Sequence, residues 1–441
     1  MARKPCQTSY QRELIEAMDE IVPPQWFARF PAHGNALWTP RKIFWGSMIR
    51  SWLPKAILQE QFETTRETLE AVFPRWALGR SLSGFLEARR SWADEMHACL
   101  KPWLQRQVAL HFEDFRVQGW LVFGVDGSRF EACRTTPNEQ GLGCAGQEAT
   151  TPQVFQTTIL HVGTGLVWDF RLGPGPDSER RHLDAMQAAL PAHALLTADA
   201  GFLCFDLARW FLEHSQAFVI RVGGNVSLLT GLGWTLEIEG KTVYVWPQKQ
   251  RHRPPIVLRL IVIRPPNRRA VHLVTNVLDE TLLSDEAAAE IYRLRWGLEV
   301  YDRSFKQTFD HKTLRSRTPS TSLVEQAWHV FSLWALQLMT ARQLIQAGRA
   351  PASWSAAKAR RLVRQLLRQA ASGKTSPPSS SFRQQLQKAG QDAYQRKSQK
   401  ETRVWPRKKQ QKPPGPPKIH PATAKQRQQA KQLRAATLTK L

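Results

Sequence analysis

Three short stretches of this chain carry acidic side chains where metal or acid–base chemistry would need them. Asp126 ends the apolar run Trp120-Leu-Val-Phe-Gly-Val125 and is followed by Gly127-Ser128. Asp199 follows Ala194–Ala198 and precedes Ala200-Gly201-Phe202. Glu299 lies in the spaced set Tyr292, Arg295, Glu299, Lys306. At about 100° per helical residue those four project within roughly a 60° arc, while Leu294, Leu298, Tyr301 and Phe305 project from the opposite side. One face is thus apolar, and the other sets a carboxylate between two cations and a phenol. Such a stripe could serve a functional site, although a solvated helix with ordinary i,i+4 ion pairs has the same composition. A single aspartate after a strand likewise serves as a loop or N-cap residue. Both aspartates, however, come at strand C-terminal ends, where α/β sheets place their chemistry.

The elements that must position these groups follow from periodicity. Residues 1–115 read as helical: Leu58 and Phe62 are four apart, and Leu69, Val72 and Phe73 repeat the helical spacing. Tryptophans 26, 38, 45, 52, 76, 92 and 103 are natural core anchors of a helical bundle, a form that DNA-reading modules share. Residues 116–222 change character, with strands predicted at Trp120–Val125, Val154–Val162, Leu166–Leu172, Ala194–Ala198 and Phe218–Val222. Helices are predicted at Ser178–Ala189 and Leu203–Glu213, which implies a mixed sheet with helices packed on it. Residues 223–284 read as a β-strand-rich insertion, with strands at Trp234–Ile238, Thr242–Trp246, Ile256–Ile263 and Ala270–Thr275; Trp234 and Trp246 are expected to pack there. Residues 285–348 return to helix, first a long one carrying the four-residue stripe and then the apolar Leu323–Ile345.

Charge is concentrated at one end. Of 441 residues, 62 are Lys or Arg against 37 Asp or Glu. From Pro351 to Leu441 there are 22 basic and 2 acidic residues, leaving 40 against 35 for residues 1–350. A basic helix is expected at Ala356–Ala371, but residues 349–441 as a whole are Lys-, Arg-, Gln- and Pro-rich, and such a tail is expected to be disordered until it meets a polyanion. Five cysteines without a Cys-x-x-Cys pair argue against a disulfide framework and a structural zinc site, and fit a reducing cytoplasm. Met1–Glu20 lacks a signal-peptide core, and the uncharged stretch Ala149–Trp168 is broken by Pro152, Gly163 and Gly165, so no membrane segment is expected.

The motifs Asp126-Gly-Ser, Asp199-Ala-Gly-Phe and Tyr292-x2-Arg295-x3-Glu299-x6-Lys306 resemble those of DDE transposases of the insertion-sequence-four type. The likeness runs from about Gly119 to Ile345 and includes a β-rich insertion. It implies an RNase H-like α/β domain between an all-helical N-terminal DNA end-binding domain and the basic tail. It further implies that Asp126, Asp199 and Glu299 hold two Mg²⁺ ions (Mn²⁺ substituting) for in-line displacement at phosphorus. Tyr292, Arg295 and Lys306, with Arg303 on the same arc, would bind DNA phosphates, and Arg315 and Arg317 would lie near the transposon end. Expected partners are double-stranded DNA, both transposon ends and target, and a second copy of the chain in a synaptic dimer. The place of action would be a bacterial cytoplasm, on the nucleoid when DNA is bound. Some relatives carry a Trp in the strand before the glutamate helix; Val271–Thr275 offers His272, read as an edge-strand residue, so a hairpin intermediate is not implied. Alternatives of different function are a metal-dependent nuclease and a non-mobile DNA-binding relative.

Overall fold

The computed structural model describes residues 9–146, 150–223, 232–236, 242–247, 255–264, 270–372 and 380–390, with scattered positions beyond 414. Helices α1 (Ser9–Asp19), α2 (Pro40–Trp52), α3 (Leu58–Val72), α4 (Leu82–Ser91) and α5 (Ala93–Ala109) come first. They are followed by β1 (Leu121–Glu131), α6 (Thr136–Leu142), β2 (Gln153–His161) and β3 (Leu166–Pro174). Next are α7 (Glu179–Met186), β4 (Ala194–Ala198), α8 (Phe205–Glu213) and β5 (Ala217–Val222). Strands β6 (Leu232–Leu236), β7 (Thr242–Pro247), β8 (Ile256–Ile263) and β9 (Val271–Thr275) precede α9 (Asp285–Leu294) and α10 (Trp296–Arg303). The last are α11 (Pro319–Gln346), α12 (Ala356–Ala371) and α13 (Phe382–Gln387). Two compact units result, one over Met1–Phe115, Gly127–His182 and Gly297–Gln391, the other over Arg116–Asp126, Leu183–Trp296 and Asp392–Leu441.

The first unit is organised by α11. This helix of 28 residues buries Trp328, Phe331, Trp334 and Leu338 along with most of its other positions. A helix apolar on every side has to be surrounded. Phe44 of α2 meets Trp328 edge-on at 6.4 Å, the Trp52 indole N–H donates to the Ser332 carbonyl at 3.1 Å, and Phe170 of β3 meets Phe331 at 5.2 Å. The expectation of a separate N-terminal domain is therefore corrected: α1, α2 and α5 pack directly on α11, through Phe44, Trp52 and His97 among others, and residues 9–115 fall in one compact unit with it. Strands β2 and β3 form an antiparallel hairpin with a bulge at Ile159–Leu160. The short α6 between β1 and β2 had no periodic signal in seven residues.

The expectation of a disordered tail is also corrected over its first part. In α12, Val363, Leu366, Leu367 and Ala370 are buried, and the Arg364 guanidinium donates to the Leu53 carbonyl at 2.8 Å. Helix α13 buries Phe382 and Leu386, and the Arg383 backbone N–H donates to Glu13. An apolar stripe of period 3.6 lies inside a segment whose average composition is basic, and the stripe decides. Residues 373–379 and most of those after 390 lie outside the described residues.

In the second unit the strands run β1-β4-β5-β9-β8-β7-β6. The pairs β1–β4 and β4–β5 are parallel, and the remaining pairs from β5 onward are antiparallel. The strands expected in 223–284 therefore prolong this mixed sheet. His272 is not on an edge, because β9 pairs with both β5 (Val222↔His272) and β8 (Val262↔His272). Burial and the nearby Arg264 charge depress the His272 imidazole pKa. The side chains of Trp234 and Trp246 lie outside the described residues.

Candidate active site

The site is built at the C-terminal ends of β1 and β4. Leu121–Val125 and Ala194–Ala198 are wholly buried, so the first polar residue after each run is also the first to emerge. The strands are parallel with Gly124 opposite Thr197. Continuing that register by two residues puts Asp126 level with Asp199, on neighbouring strands about 4.8 Å apart.

Helix α9 supplies what lies between the two acids. Its start is secured by Ser284, whose hydroxyl accepts from the Ala287 N–H at 3.1 Å, and by the buried Arg259 of β8, which donates to the Leu283 carbonyl. Ala288 and Ile291 are buried, and Tyr292, one residue on, donates its hydroxyl to Asp199 Oδ1 at 2.7 Å. Arg295 ends the helix. Its guanidinium lies 3.7 Å from Asp126 Oδ2 and 3.4 Å from Asp199 Oδ2, and 5.4 Å from the centre of the Tyr292 ring. The Arg295 side chain is 8% exposed, whereas Asp126 and Asp199 are 25% and 44% exposed. Two like charges this close repel, and one shared cation offsets that repulsion. The arginine thereby marks a point to which both carboxylates are directed.

Burial, then the Asp199 charge, pushes the Tyr292 phenol up to about 12. It therefore stays a neutral donor throughout the physiological range. The sign follows from linkage: a raised folded-state value favours the native state below pH 10, and that contribution is lost as pH rises toward 12. Among five tyrosines, Tyr301 is pushed up as well, by burial. Tyr292→Phe should accordingly remove one late-ionising phenol, near pH 12, from an ultraviolet tyrosinate titration. If the same late amplitude persists in the variant, the Tyr292–Asp199 hydrogen bond is not formed.

Arg221 belongs to this site and was missed from sequence. The pairing Ala198↔Ile220 puts Arg221 beside Asp199 on β5, and its charge reaches the Tyr292 phenol. The available signal was one cation inside the apolar strand Ala217–Val222.

The expected continuous helix under the four-residue stripe is interrupted twice. At Arg295 the backbone N–H turns back to the Tyr292 carbonyl at 3.2 Å, and Ser304–Thr308 form a π-turn. Leu298, Tyr301 and Phe305 are buried as the periodicity requires, but Leu294 is only half-buried. The structure brings Asp126, Asp199, Tyr292 and Arg295 together within one unit. Glu299, Arg303 and Lys306 belong to the other unit. There Glu299 is half-buried on α10, Arg303 is exposed, and the Lys306 ammonium lies 4.9 Å from the centre of the Phe130 ring. Arg315 donates its backbone N–H to Glu325.

The arrangement fits a hard cation in one respect: two aspartates already converge on a positive charge, and Mg²⁺ takes one or two carboxylates with water and phosphate as its other ligands. Among the described residues no group of three or more His, Cys, Asp or Glu is gathered to hold a metal ion. Among the described residues, Cys99, Cys133, Cys144 and Cys204 form no disulfide. No helix among the described residues is long and apolar enough to cross a membrane.

Residues 121–334 match the transposase DDE domain family. The chain is 27% identical, over 150 residues, to a probable transposase for insertion sequence element IS5377 from Geobacillus stearothermophilus, covering 33% of this chain and 39% of that protein. It is 23% identical over 232 residues to transposase InsG for insertion sequence element IS4 from Escherichia coli (strain K12), covering 50% of each. The matches thus span half or less of these curated relatives. A solved piggyBac transposase synaptic complex with hairpin DNA aligns over 90% of this chain and 85% of that one, at a TM-score of 0.42 and 10% identity.

Proposed function

We propose that this chain is a DDE transposase of the insertion-sequence-four type, which binds the terminal inverted repeats of an insertion sequence and catalyses metal-dependent DNA strand cleavage and strand transfer; the match of residues 121–334 to the transposase DDE domain and the likeness to two insertion-sequence transposases support this reading. The observation that carries this reading is the convergence of Asp126 and Asp199 on Arg295, with Tyr292 bonded to Asp199. The sheet around them is read as RNase H-like.

Asp126, Asp199 and, as third acid, Glu299 would hold the cations, Mg²⁺ or Mn²⁺. When bound, divalent ions supply an activated water and stabilise the leaving 3′ oxygen. Tyr292 fixes the rotation of the Asp199 carboxylate through its hydroxyl. Arg295 keeps the two aspartates at one point and offers a planar, permanently charged fork to a scissile phosphate. Lys306 and Arg303 add positive charge for the DNA backbone. Two ends must be cut together, so the working form is a homodimer, in a bacterial cytoplasm and on the nucleoid.

The test is incubation of the purified chain with DNA carrying the element's two ends. Nicks confined to the repeat termini, followed by joining to a second DNA, are expected with Mg²⁺ or Mn²⁺ and should vanish with a chelator. Cuts scattered along the DNA without joining would leave a nuclease instead.

Residues 391–441 hold 14 Lys or Arg against 2 Asp or Glu. Salt weakens binding in proportion to the phosphates neutralised, through counterion release. A chain truncated after Gly390, which spares α12 and α13, should therefore bind duplex DNA more weakly and with a shallower dependence on salt. Identical slopes for both proteins would remove the tail from DNA binding.

A further inference from the structure

The unit built on α11 contains a cavity of about 240 Å³ that plays no part in the site above. Five arginines line it: Arg50 of α2, Arg89 and Arg90 of α4, and Arg315 and Arg317 from the loop before α11. Among the described residues no carboxylate lines it. Arg50 and Arg89 are only 7% and 5% exposed. Among the described residues, Arg50 Nη1 and Arg89 Nε find no hydrogen-bond acceptor. A buried guanidinium with unmet donors carries a desolvation cost that an anion would relieve. Burial, and then the Arg50 charge, pull Arg89 down to about 9, which still leaves it protonated at neutral pH.

Glu325, whose charge reaches Arg50 and Arg89, is committed elsewhere. Glu325 accepts from the backbone N–H of Arg315 at 3.1 and 3.0 Å and of Ser316 at 2.8 Å, so it ties down the loop. Thr318, the N-cap of α11, also lines the cavity, and the positive end of this long helix adds to the field. The volume is several times the roughly 30 Å³ share of one water, enough for a tetrahedral anion with water around it. Guanidinium forks match the oxygens of phosphate in pairs.

We propose that this cavity binds a phosphate oxyanion, supplied either as inorganic phosphate or by a phosphodiester of the DNA backbone. The first source is independent of the function proposed above, and the second rests on its DNA binding.

The test uses the full chain and calorimetric titration with inorganic phosphate at constant ionic strength. Wild type is expected to show one saturable site, weakened at least tenfold by Arg89→Gln. The double variant Arg90→Gln, Arg317→Gln should do the same. Both of its positions are exposed, so it reports even if the buried variant fails to fold. In a second arm, duplex DNA of arbitrary sequence is titrated at several salt concentrations. If DNA supplies the phosphate, the double variant flattens the salt slope by about one for each phosphate it no longer holds, and free phosphate competes with the duplex. If free phosphate is the ligand, the duplex slope stays unchanged while the phosphate heat disappears in the variants. Saturable phosphate heat that survives in the variants, or no such heat together with an unchanged duplex slope, would overturn the site. Failure of cleavage at the transposon ends would affect neither arm.

Discussion

Asp199→Asn is expected to lower strand cleavage by at least about a thousandfold while leaving the thermal midpoint near that of the wild type. The two effects separate because the carboxylate does different things in the two balances. For stability, Asp199 is 44% exposed, it stands beside Asp126, and Arg295 keeps Asp126 as a partner when Asp199 is neutralised. Removing one of two like charges offsets most of what the ion pair with Arg295 contributed. For cleavage, an amide cannot match a carboxylate toward a hard divalent cation. The loss of charge stabilisation at the reacting phosphate is several kcal/mol, and each 1.36 kcal/mol is about tenfold in rate. Asp126→Asn should behave alike, and Glu299→Gln tests the third acid in the same assay. Cleavage of the repeat ends within tenfold of wild type, in any one of the three, would remove that residue from the proposed metal site. A loss of cleavage accompanied by a collapsed melting transition would assign it a structural role.

The second large effect concerns the core. Trp334→Ala should destabilise the chain by about 3–5 kcal/mol in a denaturant titration, since it removes one of the largest fully buried side chains. Trp334 lies nearly parallel to Phe331, at 6.4 Å and 8° between ring planes, on the helix around which the first unit is built. Its indole N–H has no acceptor among the described residues, so packing alone accounts for the cost. Total stabilities of domains are only about 5–15 kcal/mol, so this single truncation removes a substantial share. Spectroscopic signals from the N-terminal helices and from α11 should melt together, because they share one core. A separate, undisturbed transition for residues 9–115 would restore the N-terminal segment as an independent domain.

Local pattern carried a great deal here. Strands β4 and β8 were legible to the residue because Ala194–Ala198 and Ile256–Ile263 are short runs that are apolar but for Thr197 and Arg259 and are bounded by polar residues and turns, a pattern that needs no partner strand to be seen. The acids Asp126 and Asp199 were legible for the same reason, as the first polar groups after buried runs. The spacing of Tyr292, Arg295, Glu299 and Lys306 was equally plain, although its reading as one unbroken helix was not. A break at Arg295 and a π-turn at Ser304–Thr308 are local departures that an average of about 100° per residue could not register.

What tertiary structure decided is where like patterns end up. Whether His272 was on an edge depended on which strand came to lie beyond it, and the pairing with β8 is written in the pattern of neither strand alone. Whether α12 floated or packed depended on its apolar stripe meeting α2 and α3 while Arg364 reached the Leu53 carbonyl, although the same segment averages as basic. Arg295 is the clearest instance. From its spacing it was a cation on an open face, but the parallel register of β1 and β4 sets two carboxylates level beneath it, and only that meeting of distant segments turns an exposed charge into a buried one shared by both.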